Sequence, residues 1–571
     1  MIKKILLCFI ILFGFFLRIW GVNFGLPGLF HWDERTFPLS TFYAVINYGK
    51  VGNYLYGQLV HFLLIIFYGI YYVFLKITNK INEPLDFLIS FAKDPSPFYL
   101  IMRTFFVFIS TILIFIGYLL AKRMYNKTIG IITAFFLSSA FILIAQSKIG
   151  KPDTLATLFL LISFYFIISK KEDYRKYILA GIFLGPAISV RINLLIVFPL
   201  IIGFIFLNKK YKIKEKLKFI IIFSFFTIFS FILVFPAIIY DFSNVISRFI
   251  EEIHNQDRPW VDPEGIPVWL FYLKEHLYYG IGAPLLISSI IGIIYSLYKR
   301  KYLFFIIFIF FYFILLNKSA NFERYAIPLV PLFIIFASNF IYTIISNLPV
   351  RNFIKNFCLI FICLFFSLPN ILNSIKYDYL ITRPDTRNLA LKFIEKNIPE
   401  GSYIINEGKE GPEHTSILGV PLRKSKKQLE EGKKEMLKRG RQGRWVDILL
   451  QCNYKPSYFV ENIGPIERPY FFVSKEMSRV EINSVDFYVE KKIEYIITSS
   501  WTMMRGKRNP LPESFGLNKK YKLIKTFMPN PIFKWDYYCF RIDYKALSKV
   551  SIFDKNVIGG PIIKIYKLRS F

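Results

Sequence analysis

Acidic residues are scarce in this chain: 39 Asp and Glu stand against 72 Lys and Arg, a formal charge of +33 at pH 7. Cysteine and histidine are equally thin. Five cysteines (Cys8, Cys358, Cys363, Cys452, Cys539) and five histidines (His31, His61, His254, His276, His414) are scattered, with no Cys-x-x-Cys pair and no His/Cys cluster. A zinc site therefore finds no ligand set in the pattern. Three of the cysteines fall in hydrophobic runs and count as small apolar residues. Cys452 and Cys539 lie in the C-terminal region, where pairing stays open. The apolar run after Met1-Ile2-Lys3-Lys4 has no small-x-small cleavage site and continues into Arg18-Ile19-Trp20, which reads as a retained anchor. No internal repeat is visible.

Apolar residues are what the chain has in excess. It is 54% hydrophobic and 19% aromatic over 571 residues, with a mean hydropathy of +0.43. That is too apolar for a soluble domain and indicates a multi-span membrane protein. A span needs about 20 mostly apolar residues. Twelve segments qualify as candidates: 5–20, 58–76, 101–121, 129–147, 154–169, 177–190, 192–207, 218–238, 280–298, 302–316, 325–346 and 353–371. Much of the basic charge lies in short clusters between these runs, the habit of cytoplasmic loops. The charge is thus explained by topology and anionic lipid, and nucleic acid is not expected as a partner.

The clusters also set a parity. Lys3 and Lys4 put the N-terminus inside, so 21–57 is outside. If 58–76 crosses, the basic stretches 122–127, 170–171, 209–214 and 299–301 all fall outside. If 58–76 stays at the outer face, all four fall inside. One decision repairs four loops, so 58–76 is read as a juxtamembrane or re-entrant helix, and its Gly57, Gln58, His61 and Gly69 suit that role. About eleven spans remain. The expected division is a transmembrane module over 1–374, with a first outer loop 21–100, and an extracytoplasmic α/β domain over 375–571. That domain shows a helical stretch at 386–397, strand-like runs at 403–405, 495–498 and 562–566, and a polar helix or loop at 421–444.

With this parity every candidate site residue shares the outer face. Gly28-Leu29-Phe30-His31-Trp32-Asp33-Glu34-Arg35 places two adjacent acids beside a His, a Trp and an Arg just past the first hydrophobic segment. Ionisable groups at membrane depth are functional candidates by default, although an acid here also suits a helix start. Asp153 follows Pro152 and opens a helix, so an N-cap is its plain alternative. Lys148 and Lys151 read either as interfacial side chains or as anion ligands near the acids. Arg191 interrupts two apolar runs and should face a polar cavity or headgroups, while Arg324 opens another span beside Glu323. Either arginine suits a phosphate, whose oxygens a guanidinium grips bidentately. Asp257-Arg258-Pro259-Trp260 and the Trp269/Tyr272 region suit an interface belt or a sugar platform.

In order and spacing these stretches resemble the GT-C membrane glycosyltransferases. The similarity is to glycosyltransferase family 39, relatives of protein O-mannosyltransferases and the lipid A aminoarabinose transferase. It rests on 18–34, on Asp94-Pro95-Ser96-Pro97-Phe98-Tyr99 with Arg103, on 147–153, on 324–331, on Asp385-Thr386-Arg387 with Ala390, and on 560–566. The resemblance implies a polytopic α-helical fold of about eleven spans, juxtamembrane helices in the first loop, and an inverting transfer from a polyprenyl-phosphate-linked sugar to a hydroxyl on protein, lipid or glycan. It implies a multi-pass protein of the cell membrane, with Asp33 as base, Glu34 beside it, Asp153 as the second-loop acid and Arg324 as a donor contact. Lys151, Arg191 and His31 complete the candidate substrate and phosphate ligands. Trp32 stands where many relatives have Pro, and no Trp-Trp-Asp motif or second-loop Asp-x-Asp is present, which argues against an oligosaccharyltransferase. With one acid in that loop no cofactor is expected; a divalent metal is possible but unsupported. The alternatives are a lipid-linked sugar flippase or exporter, for which inverted repeats are expected, and a glycan polymerase or ligase.

Overall fold

A computed structural model of the chain describes residues 2–31, 34, 36–46, 51, 54, 56–169, 173–256, 265–317, 321–407, 419–438, 444–452, 454–463, 485–501, 517–533 and 542–569. All twelve hydrophobic segments are helical. Among the described residues, four helices are long and apolar enough to cross a bilayer: Leu59–Ile77, Ser96–Met124, Ile213–Val234 and Asn352–Ile381. Counting each of two bent helix pairs as one span raises the number to six, and shorter apolar helices follow at Asp153–Ile167, Ile192–Phe206, Leu303–Leu316 and Val330–Ser346. Exposed faces carry Ile5, Phe9, Phe225, Phe357, Phe361 and Leu368, side chains that only lipid solvates well.

The chain forms two compact units. The first comprises Met1–Val22, Thr36–Ile66 and Ile101–Asp378; the second comprises Asn23–Arg35, Phe67–Leu100 and Tyr379–Phe571. Two stretches of the first loop thus belong with the C-terminal residues.

In the helical unit the basic turns gather at one end. Lys3 Nζ donates to Thr128 Oγ1 at 3.3 Å, Arg123 lies 3.4 Å over the Tyr165 ring, Tyr125 meets Tyr302 edge-on at 4.9 Å, and Lys176 donates to Tyr211 at 3.3 Å. At the other end Arg103 donates to the Val22 carbonyl at 3.0 Å. Helix Arg175–Val190 packs on Ile213–Val234 through Gly181 and Gly185. A methyl on Gly185 would lie 2.2 Å from Ser230 Oγ, so only glycine lets the two backbones approach this closely.

The second unit holds a five-stranded sheet in the order β2-β1-β3-β5-β4, formed by β1 (Tyr403–Glu407), β2 (Phe459–Ile463), β3 (Tyr495–Ser499), β4 (Tyr521–Phe527) and β5 (Ile563–Leu568). β1 runs parallel to β2 and β3, whereas β5 is antiparallel to β3 and β4. Helix Thr386–Asn397, capped by Asp385, buries Ala390 and Ile394 against one sheet face with Ile404, Ile497 and Ile565. Sheet and helices together give the described part of 386–568 a mixed α/β content. The expected polar segment 421–444 contains helix Lys426–Lys438, whose Leu429 packs with Ala92, Ile448 and Leu449.

Candidate functional site

The site is built on a broken helix. Ala140, with φ −62° and ψ 111°, separates Lys127–Ser139 from Phe141–Ser147, and the halves bend by 54°. A break frees carbonyls that an intact helix would bond. Arg18 fills them: Nη2 donates to the Leu137 carbonyl at 2.9 Å and Nη1 to that of Ser138 at 3.0 Å, while Nε donates to Ser110 at 2.9 Å. Past the second half, Lys148 Nζ donates to the carbonyls of Leu17 (2.6 Å), Arg18 (3.2 Å) and Trp20 (2.6 Å) and pairs with Asp378 at 3.0 Å. Lys148 is therefore neither an interfacial side chain nor an anion ligand. It is fully buried and ties down the end of helix Ile2–Ile19.

The segment fastened in this way leads into Asp153, the first residue of helix Asp153–Ile167. The expected cap is not what Asp153 provides. Pro152 is the N-cap residue, without a side-chain bond, and Asp153 Oδ1 instead forms an ion pair with Arg191 Nη2. Arg191 leaves the end of helix Arg175–Val190 in extended backbone. Its guanidinium lies 4.9 Å from the Tyr56 ring and 5.2 Å from the Tyr325 ring. Arg324 lies 5.1 Å from the same Tyr325 ring and 4.0 Å from that of Phe322. Tyr325 is held from below by Tyr312, which donates to its carbonyl at 3.1 Å. Tyr56 is delivered by Gly57, whose φ of +61° and missing Cβ, 2.5 Å from the Ser189 carbonyl oxygen, admit no other residue without strain. Gln58 then anchors the turn, accepting from Ala237 N at 2.7 Å and donating to Tyr240 at 2.6 Å.

Two arginines, one carboxylate and aromatic walls thus converge at this end of the helical unit. Burial alone would lower the Arg191 pKa, but Asp153, then Tyr56 and Tyr325, raise it above its usual value, so the guanidinium stays charged. Asp153 Oδ2, Arg191 Nε and Thr154 Oγ1 are buried and make no hydrogen bond among the described residues. Native structures seldom leave such groups unmatched without a functional reason. The arrangement can grip an anion along the unmatched edge of Arg191.

The remaining expected residues divide between the units. Lys151 is buried two positions before Asp153. His31 and Glu34 are buried in the other unit. Asp33 lies outside the described residues, as do 257–260. The loop that carries His31 and Glu34 wraps around Phe30: methyls on Gly25 and Gly28 would fall 2.7 and 2.6 Å from its ring. Phe30 in turn lies 3.5 Å from the Arg387 guanidinium. Arg387 is gripped bidentately by Asp385 at 2.9 and 2.8 Å and has Trp501 at 5.1 Å. Thr386 Oγ1 donates to the Pro561 carbonyl at 2.6 Å beside Gly560, whose φ is +98°. The stretches around 385 and 560 therefore hold the first loop. Cys452 is free and buried, whereas Cys539 lies outside the described residues. Among the described residues no cluster of three His, Cys, Asp or Glu could hold a metal ion.

The chain shares its fold with the archaeal oligosaccharyltransferase AglB from Archaeoglobus fulgidus, solved with an inhibitory peptide and a dolichol-phosphate, at a TM-score of 0.50 and 14% identity over 87% of this chain and 69% of that one. ArnT from Cupriavidus metallidurans, bound to undecaprenyl phosphate, aligns at a TM-score of 0.47 and 9% identity over 98% and 97% of the two chains. The fold is that of the GT-C membrane glycosyltransferases, as the sequence motifs imply. Within that class, residues 100–238 match the dolichyl-phosphate-mannose-protein mannosyltransferase family. No curated protein matches the sequence.

Proposed function

We propose that the chain is an inverting glycosyltransferase that moves a sugar from a polyprenyl-phosphate donor to an acceptor hydroxyl. The observation that carries this reading is the Arg191–Asp153 pair, whose buried, unmatched polar atoms lie beside Arg324 and tyrosine rings. The family matched over 100–238, which takes in Asp153 and Arg191, is named for a dolichyl-phosphate-mannose donor. The fold relative AglB was solved with a dolichol-phosphate.

In this reading Arg191 and Arg324 hold the donor phosphate and stabilise the charge it gains as the glycosidic bond breaks. Asp153 fixes the fork of Arg191. The tyrosine rings present aromatic faces for a sugar and keep water out. The acceptor proton needs a base, and Asp33 is the sequence's candidate, a carboxylate at a membrane face where burial raises basicity toward working pH. Glu34, His31 and Lys151 position the substrates.

The same reading puts the basic end in the cytoplasm and the Arg191 end outside. Helix Leu59–Ile77 then does not cross alone. Val22 and Arg103, on either side of the first loop, are 3.0 Å apart, whereas a single crossing would separate them by about 30 Å. The other helices between them, Thr36–Ile46 and Pro84–Lys93, are too short to return the chain. A panel of polyprenyl-phosphate sugars incubated with the purified full chain, with products read by mass spectrometry, tests the function. Transfer from at least one donor is expected. Donor consumption by none of them, with the protein folded, would overturn it.

A further inference from the structure

We propose a second ligand site, at the basic end of the helical unit, for the phosphate-bearing headgroup of an anionic lipid. A cleft of about 480 Å³ opens there between the turns 122–127 and 299–302, within the size range of small-molecule pockets. Its polar lining is Tyr125, Asn126, Lys301, Tyr302, Asn339, Tyr342 and Thr343, with no carboxylate.

Asn339 is the first pointer. It is 7% exposed and lines the cleft. The Tyr125 hydroxyl on the same lining is buried and makes no hydrogen bond among the described residues; a buried polar group left unmatched costs about 1–3 kcal/mol, so a ligand contact is its natural use. Asn126 is the second. Its amide oxygen already accepts from Thr128 N and Ile129 N at 2.9 and 3.0 Å, which leaves its amide nitrogen to donate. The third is the turn around Lys301. Arg300 and Tyr302 both hold left-handed backbone, φ +51° and +57°, which is rare for side chains of this size and concentrates at functional sites. That turn starts helix Leu303–Leu316, whose N-cap Tyr302 contributes no side-chain bond. The first amide groups of the helix and the Lys301 ammonium thus face one region with positive polarity. Lys122, Arg123 and Lys127 lie in the helix ends on one side, and Lys299 and Arg300 in the chain leading to Lys301 on the other. Donors without acceptors of charge select an anion, and phosphate meets several donors at once. Basic pockets between helix ends are natural sites for anionic headgroups.

The test is native mass spectrometry of the full chain in neutral detergent, titrated with dioleoylphosphatidylglycerol, with dioleoylglycerol, which lacks the phosphate, and with inorganic phosphate. The phosphatidylglycerol adduct is expected to persist and the dioleoylglycerol adduct to be lost. Lys301→Glu and Asn339→Leu should each weaken the first phosphatidylglycerol adduct at least fivefold, while Lys209→Glu, in a basic turn away from the cleft, leaves it unchanged. Lys301 lies on an exposed turn, so its variant stays informative if Asn339→Leu fails to fold. Binding of inorganic phosphate alone, lost in Lys301→Glu, would support the same chemistry with a soluble phosphate as its source. Equal loss in Lys209→Glu, or no loss in Lys301→Glu for either probe, would overturn the site.

Discussion

Arg191 turns the chain between two apolar helices and meets Asp153 on one side and the rings of Tyr56 and Tyr325 on the others. Breaking such a buried pair by removing one partner costs about 3–5 kcal/mol, because a charge is left uncompensated. Asp153→Leu is therefore expected to lower the melting temperature. Asp153→Asn, which keeps a hydrogen bond, should fold and lose about tenfold in kcat/KM for the donor, equivalent to ~1.4 kcal/mol. Asp33→Asn should abolish most transfer while leaving the melting temperature unchanged, a comparison that a transfer assay and a thermal scan together decide. Arg191 and Asp153 could be singled out from sequence, since a lone charge between apolar runs demands a partner. The role of Lys148 could not, because carbonyls at a helix end are invisible in a sequence and a lysine near an interface looks solvent-bound. Tyr56 was equally hidden. It reaches Arg191 only because Gly57 packs on Ser189.

The helix break at Ala140 and the cations that fill it form the next level. Arg18 satisfies the freed carbonyls, and Lys148 ties helix Ile2–Ile19 to the segment leading to Asp153. Lys148→Met leaves Asp378 buried without its cation and should cost about 3–5 kcal/mol. Adding Asp378→Leu should recover part of that loss, and the coupling energy from denaturation of the four proteins checks it. All twelve long hydrophobic segments became helices, because length and composition suffice for that. Three strands, β1, β3 and β5, were also legible, being central and rich in Ile and Tyr. The two that were not, β2 and β4, are the sheet edges. Edge strands carry charges that blunt the apolar pattern, as Glu461, Lys522 and Lys525 do here.

At the scale of the whole molecule, the proposed function puts the basic end of the helical unit in the cytoplasm. A cysteine at Lys210 is expected to react with an impermeant maleimide only from the cytoplasmic side, and one at Phe553, 89% exposed in the second unit, only from outside. Labelling of both from the same side would refute that orientation. The central claim, that the Arg191 end holds a lipid-linked phosphate, is met most directly by the affinity of the purified full chain for a polyprenyl phosphate. The comparison is with the Arg191→Gln/Asp153→Asn double variant, in which a neutral hydrogen-bonded pair replaces the buried ions. Loss of charge-assisted bonds worth about 1.5–3 kcal/mol predicts binding weakened at least tenfold with the melting temperature held. Equal affinity in the two proteins would contradict the account.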